Sequence, residues 1–176
     1  MRRDLGCGAL SDGRGGPGRY AFRPVAPADR ARLARWRSMP HVRDWWGEPD
    51  EASATDDPRV ARWIVSLDGA PFAYLQDYDV HGWPGHHFGH LPAGSRGMDL
   101  YIGEPGALGR AHGAGLARAR LGALLAAGAP AVAVDPHPAN ARSIAAFRRA
   151  GFRPAGGPIE TTWGPALPLI ARSDGR

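Results

Sequence analysis

Gly97-Met98-Asp99-Leu100-Tyr101-Ile102, then Leu108-Gly109-Arg110-Ala111-His112-Gly113-Ala114-Gly115, then an alanine- and leucine-rich run from Leu116 to Ala127: the reading of these three segments decides the fold. The first has strand character, the second is a glycine-rich turn of the form R-x-x-G-x-G, and the third predicts a long helix. A glycine-rich turn that opens a helix presents backbone N–H groups that no helical carbonyl uses, and the helix dipole adds about half a positive charge there. Arg110, Ala111, His112, Gly113, Ala114 and Gly115 therefore form a candidate phosphate cradle. The letters alone carry little, because the same pattern occurs at Arg3-Asp4-Leu5-Gly6-Cys7-Gly8, with no periodic strand before it and no helix after it. The strand-turn-helix setting is what distinguishes the copy at Arg110.

Downstream of the predicted helix, Ala131-Val132-Ala133-Val134-Asp135 reads as a buried strand whose parallel partner is the strand before the helix. Pro138-Ala139-Asn140 leads into a second helix that runs to about Ala150 and stops at Gly151. Phe152 to Ile159 and Leu167 to Ala171 are expected as closing strands, held to sheet edges by Pro154, Pro158 and Pro168. Upstream, Tyr20 to Val25 alternates like a strand, and Pro27 opens a helix to about Arg37 that Met39-Pro40 breaks. His41 to Trp46 forms a short element, and Gly47 to Pro58 an acidic loop. Arg62 to Leu67 and Pro71 to Val80 are strands joined by Asp68-Gly69, a type I′ hairpin signal. Residues 81–96 are a long glycine-, histidine- and proline-rich loop of the kind that tends to carry function.

With 176 residues the chain is read as a leader, residues 1–19, expected to be disordered, and one domain over 20–176. The single cysteine, Cys7, lies in the leader and has no partner for a bridge. No apolar run is long enough to span a bilayer and no signal peptide is visible, so a cytoplasmic setting is expected, with no membrane partner. Every one of the 22 basic residues is arginine, but their distribution argues against nucleic acid as a partner. Residues 1–43 carry a net charge of +7, residues 44–104 carry −8 and residues 105–176 carry +6. An acidic middle and a basic cradle third suit two ligands of opposite charge; charges scattered over a solvated surface would give the same blocks.

The order strand, R-x-x-G-x-G, helix, strand ending in Asp135, Asn140, and helix ending Arg149-Ala150-Gly151-Phe152 resembles the GNAT superfamily of acyl-CoA-dependent N-acyltransferases. Within it, Asp44-Trp45-Trp46-Gly47, Tyr74-x-Gln76-x-Tyr78, Gly97-Met98-Asp99 and Asp135-Pro136-x-Pro138-x-Asn140 are similar to aminoglycoside 6′-N-acetyltransferases. The resemblance covers roughly residues 20–172. It implies a mixed α/β fold: a twisted, mostly antiparallel sheet flanked by helices, whose central parallel strands splay to admit the pantetheine arm. Acetyl-CoA is then the acyl donor, with no metal, and the partner is a small-molecule amine bound by a monomer or homodimer.

In that picture Leu100, Tyr101 and Ile102 offer backbone groups to pantetheine, and Asn140 and Phe147 join the cradle in the donor site. Asn140 also suits a plain helix N-cap. Asp99 is the candidate general base or amine anchor, because a carboxylate at the end of the splayed strand can accept the ammonium proton directly or through water. Asp135, at the end of the neighbouring strand, is the candidate partner of a second substrate amine, with helix capping as the plainer role. Trp45, Trp46, Gln76 and Tyr78 complete the acceptor site, the tryptophans serving partly as core and partly as a sugar-stacking wall.

One departure matters. Many family members place a tyrosine before the Gly-Phe turn to protonate the thiolate, and here Phe147 stands there, leaving water or a hydroxyl such as Tyr101. The cluster His81, His86, His87 and His90, with Asp77 and Asp79 nearby, matches no common zinc spacing and is read as a lid over a polyhydroxylated ligand. The resemblance leaves other readings open: acyl transfer to a hydroxylysine-type siderophore precursor, acetylation of a peptide or ribosomal protein, or a non-catalytic CoA-binding module.

Overall fold

A computed structural model describes residues 19–47 and 57–173. Cys7, the second R-x-x-G-x-G copy and nearly all of the predicted leader lie outside the described residues, as does most of the acidic loop after Gly47. Nine strands and four helices follow in the order β1 (Tyr20–Pro24), α1 (Arg30–Ser38), α2 (Pro40–Trp46), β2 (Val60–Leu67), β3 (Ala70–Asp79), β4 (Arg96–Ile102), α3 (His112–Ala126), β5 (Ala131–Val134), α4 (Ala141–Ala150), β6 (Arg153–Pro154), β7 (Ile159–Thr161), β8 (Gly164–Ala166) and β9 (Leu169–Arg172). Seven strands form one sheet in the order β1-β2-β3-β4-β5-β9-β6, antiparallel except for β4 against β5. The hairpin between β2 and β3 turns on Asp68 and Gly69, both with positive φ (48° and 84°), as a type I′ turn requires.

The alternation of β4 divides the two halves of the molecule. Met98, Leu100 and Ile102 face a core shared with Leu116, Leu121, Phe147 and Phe152 under α3 and α4. Asp99 and Tyr101 face the opposite side, where Tyr101 packs with Trp36, Val42 and Tyr74 beneath α1 and α2. Register carries the division into β3, where Tyr74, Gln76 and Tyr78 lie opposite Tyr101, Asp99 and Gly97. Gly97 must be glycine here, because a Cβ would sit 2.3 Å from the Tyr78 ring. The loop after β3 is anchored rather than loose: Phe88 and Leu91 are buried against Val80, Ala131, Ala133 and Ile170.

Two expectations are corrected. Helix α3 begins at His112, four residues before the predicted Leu116, so the glycine-rich run is mostly its first turn. Ala111 takes the left-handed conformation (φ 60°) that directs the chain into it. The predicted strand from Phe152 to Ile159 breaks up, because Pro154 and Pro158 remove ladder donors and Gly156 takes φ 145°. Only Arg153–Pro154 pairs with the main sheet, while Ile159–Thr161 folds onto Gly164–Ala166 as a separate β7–β8 hairpin.

Candidate active site at the splayed strands

β4 and β5 are paired only at Arg96–Val132 and Gly97–Ala133, and beyond Gly97 they diverge. A cleft of about 1180 Å³ opens there, lined by α2, β3, β4, the start of α3, the end of β5, the start of α4 and the β7–β8 hairpin. At one end lies the first turn of α3, where His112, Gly113 and Ala114 contribute N–H groups with no carbonyl a turn behind them. All three residues line the cleft with Gly109 and Ala111.

Two members of the predicted cradle have other roles. Gly115 donates its N–H to Ala111 O (3.2 Å), and a Cβ at this position would lie 2.5 Å from the Tyr20 hydroxyl. Its smallness therefore serves helix-to-strand packing. The His112 ring turns inward, with Nδ1 3.0 Å from the Tyr20 hydroxyl and its edge against Phe72. Burial, aided by the charges of Arg19 and Arg110, lowers its basicity. Arg110 is exposed and lies outside the residues that line the cleft.

Asn140 caps α4 by accepting the Ser143 N–H at 3.0 Å, and it lines the cleft as well. Phe147 is buried edge-on against Phe152, with one side reaching the cleft. Of the backbone groups expected for the pantetheine arm, the Ile102 carbonyl already has a partner, His41 Nε2 at 3.0 Å. His41 opens a short element in the sequence, and nothing in its spacing points to β4.

The other end of the cleft is acidic. Asp99 lies on its floor, with Oδ2 accepting from Gln76 Nε2 (2.9 Å), while Gln76 Oε1 accepts from the Tyr74 hydroxyl (2.9 Å). Desolvation, then repulsion from Asp135, pushes the Asp99 carboxyl up to about 7, against the opposing pull of Gln76 and His87. Tyr78 is held well above its ordinary range by burial and by Asp99 and Asp135, so its hydroxyl stays protonated. Tyr101, stacked on Tyr74 and edge-on to Trp46, is likewise raised by burial. Trp46 packs into this aromatic group, whereas Trp45 stays 43% exposed in the cleft lining, tilted over His137 at 5.6 Å.

Asp135 follows directly on β5, with its Oδ2 3.0 Å from His87 Nε2. Three other histidines of the loop bond within it, His81 Nε2 to Gly89 O (3.2 Å), His90 Nδ1 to His87 O (3.0 Å) and the Phe88 N–H to His86 Nδ1 (3.1 Å), while Arg59 reaches in from outside to the Gly82 carbonyl (3.1 Å). Asp77 is not part of it. It lies across the sheet, accepting from Trp63 (2.9 Å), Arg96 (2.7 Å) and Arg120 (2.6 Å). No group of three or more metal-ligating side chains forms among the described residues. Trp83 and Trp163, absent from the sequence-derived site, line the cleft beside His86; the β7–β8 hairpin that carries Trp163 has only three residues per strand, too short for a periodic signal. No described helix is long and apolar enough to cross a membrane.

Comparison with known proteins agrees with this geometry. A curated relative, the aminoglycoside N(6′)-acetyltransferase type 1 of Klebsiella pneumoniae, is 28% identical over 165 residues, covering 85% of this chain and 81% of its own. The structure of AAC(6′)-Ib with ribostamycin and coenzyme A superposes with a TM-score of 0.79 at 28% identity, over 87% of this chain and 93% of that one. Its complex with coenzyme A and kanamycin gives 0.78 at 28% identity, over 87% and 94%. The model of the acetyltransferase (GNAT) domain matches residues 26–157, and this chain belongs to that family.

Proposed function

We propose that the protein transfers an acetyl group from acetyl-CoA to an amine of a polycationic aminoglycoside, the 6′-amine, within a ternary complex. The observation that carries the proposal is the pair of carboxylates, Asp99 and Asp135, placed by two diverging strands in a cleft whose opposite end is an open helix N-terminus. Acetyl-CoA supplies the acyl thioester. The residues present fit such a donor: the N–H groups of His112, Gly113 and Ala114 suit its phosphates, and the edge of β4 left unpaired beyond Gly97 suits an extended amide arm.

Asp99 takes a proton from the acceptor ammonium, directly or through one water. Its elevated pKa brings it close to the operating pH, where a general base is most effective. Gln76, itself held by Tyr74, fixes the orientation of the carboxylate. Asp135 and Trp45 orient the rest of the acceptor, and keeping amine and thioester in register contributes about 7–11 kcal/mol in well-oriented reactions. Phe147 offers no proton to the departing thiolate, so solvent supplies it; a CoA thiol is a good leaving group without an acid.

Free thiol appearing when acetyl-CoA is mixed with kanamycin supports the proposal. No release above background, by protein shown to be folded, overturns it. A second reading rests on Phe147: CoA binding in calorimetry with no acyl transfer to any amine identifies a binding module without turnover.

A further inference from the structure

His112 is the first residue of α3 and lines the donor end of the cleft, yet it is only 5% exposed and its ring is turned inward. Nothing in the local sequence fixes this helix start. Ala111, the residue before it, has no side chain that could cap the first turn, and it takes a left-handed conformation (φ 60°, ψ 10°) that residues other than glycine disfavour. The restraint comes from across the molecule. The Tyr20 hydroxyl of β1, 92 residues earlier in the chain, lies 3.0 Å from His112 Nδ1. Phe72 of β3 completes the group, stacked on Tyr20 (centroids 6.0 Å apart, 29° between planes) and edge-on to His112 (5.7 Å, 68°). The Phe72 carbonyl also accepts the N–H groups of Gly103 (2.8 Å) and Glu104 (3.1 Å), where the chain leaves β4 for the glycine-rich turn. Phe72 thus holds both ends of the segment from Gly103 to His112, and Tyr20 holds its far end. Burial raises the pKa of the Tyr20 phenol and lowers that of His112, which suits a phenol that keeps its proton to a neutral imidazole.

The N–H groups of a helix start bind a phosphate only when they converge on it, and rotating the first residue swings its own N–H and those that follow. An inward-turned side chain adds no charge to such a site; what it adds is orientation, if its own position is held by a second layer of contacts. We propose that Tyr20 is a positioning residue for the acyl donor: through His112 it fixes the direction of the N–H groups of His112, Gly113 and Ala114, and so sets affinity for the donor's diphosphate. The inference rests on the donor half of the proposed function. It goes further in making the donor site depend on β1, a strand none of whose residues lines the cleft.

Calorimetry with CoA, in the absence of any acceptor, tests this. Tyr20→Phe keeps the ring against Phe72 and Gly115 and removes only the hydroxyl, so it should weaken CoA binding about 3–10-fold. His112→Leu should weaken it as much, and Tyr20→Phe combined with His112→Leu no further than His112→Leu alone, because both changes break one contact. His112→Asn keeps a hydrogen-bonding atom near the place of Nδ1 but cannot carry a charge, and it should stay within about twofold of wild type. In turnover with kanamycin the acetyl-CoA KM of Tyr20→Phe should rise by the factor found in calorimetry, with kcat and the kanamycin KM unmoved. Wild-type CoA affinity in Tyr20→Phe overturns the inference. So do losses that add in the double variant, or a fall in kcat together with a raised kanamycin KM, the mark of general loosening. A loss in His112→Asn equal to that in His112→Leu also overturns it, since the imidazole would then act on the phosphate itself. Should His112→Leu fail to fold, Tyr20→Phe and His112→Asn still decide. If folded wild-type protein binds no CoA, the donor reading fails and the inference with it; CoA binding without thiol release from kanamycin removes only the acceptor reading.

Discussion

Asp99 combines two opposed requirements in one carboxyl group. Burial and Asp135 raise its pKa to about 7, so the folded protein binds its proton more tightly than the unfolded chain does. The stability that follows from this is complete below the ordinary carboxylate range near 4 and is lost as pH rises through about 7. The base needed for turnover appears over the same upper range, so kcat/KM falls as pH drops below about 7. Asp99→Asn should therefore lower kcat by about 10²–10⁴ while leaving CoA affinity in calorimetry nearly unchanged. The same variant should be more stable than wild type at pH 8, by on the order of 2 kcal/mol in urea unfolding. Wild-type turnover in this variant removes Asp99 as base; a stability loss at pH 8 removes the burial argument. The position of Asp99 was legible because Gly97-Met98-Asp99 ends a strand pattern ahead of the glycine-rich run. Its company was not: Gln76 meets it only through the β3–β4 register, and His87 meets Asp135 only through a loop with no periodicity.

Helix α3 shows how one motif can serve two purposes that its letters do not separate. Gly113 has room for a methyl group, a Cβ there meeting Ala146 Cβ at 3.7 Å and Ile102 Cδ1 at 3.9 Å in ordinary van der Waals contact. Gly115 faces the Tyr20 ring at 2.5–3.0 Å. Gly115→Ala should cost about 1–3 kcal/mol in thermal or urea unfolding, because an added methyl must displace Tyr20 and its His112 contact. Gly113→Ala should leave the unfolding midpoint within about 0.5 kcal/mol of wild type or raise it, since alanine favours helix. Equal stability losses in the two variants would contradict this division. The motif located the helix start to within one turn because backbone donors and dipole follow from any glycine-rich entry. It did not reveal which glycine was packing, since β1 lies 90 residues away in sequence and meets α3 only across the folded sheet.

At the scale of the whole molecule, Asp77 joins the halves of the chain. Its carboxylate, 1% exposed, receives Trp63 from β2, Arg96 from β4 and Arg120 from α3, and the Arg120 guanidinium also lies 4.3 Å over the Trp63 ring. Asp77→Asn leaves two guanidinium groups facing a neutral amide and should cost about 3–5 kcal/mol, read as a lowered urea midpoint. A loss under 1 kcal/mol would mean that solvent already reaches the cluster. The alternation of β3 places Gln76 and Tyr78 toward the cleft and equally sends Asp77 to the other face, away from the histidines that follow it in sequence. The order of strands and helices was legible from periodicity and turn residues, whereas the chain after Gly151, rich in proline and glycine, gave no period from which a separate hairpin could be foreseen.

The two residue pairs that fasten β4 to β5 also make the sheet an unfinished object. Beyond that pairing no strand among the described residues lies beside β4 on this side, although His41 meets the Ile102 carbonyl. An extended amide-bearing molecule lying in the gap takes the place of a missing strand, so part of the sheet's cohesion comes from outside the chain. Bound and free protein should then differ in how firmly their two half-sheets move together, even where no residue changes place.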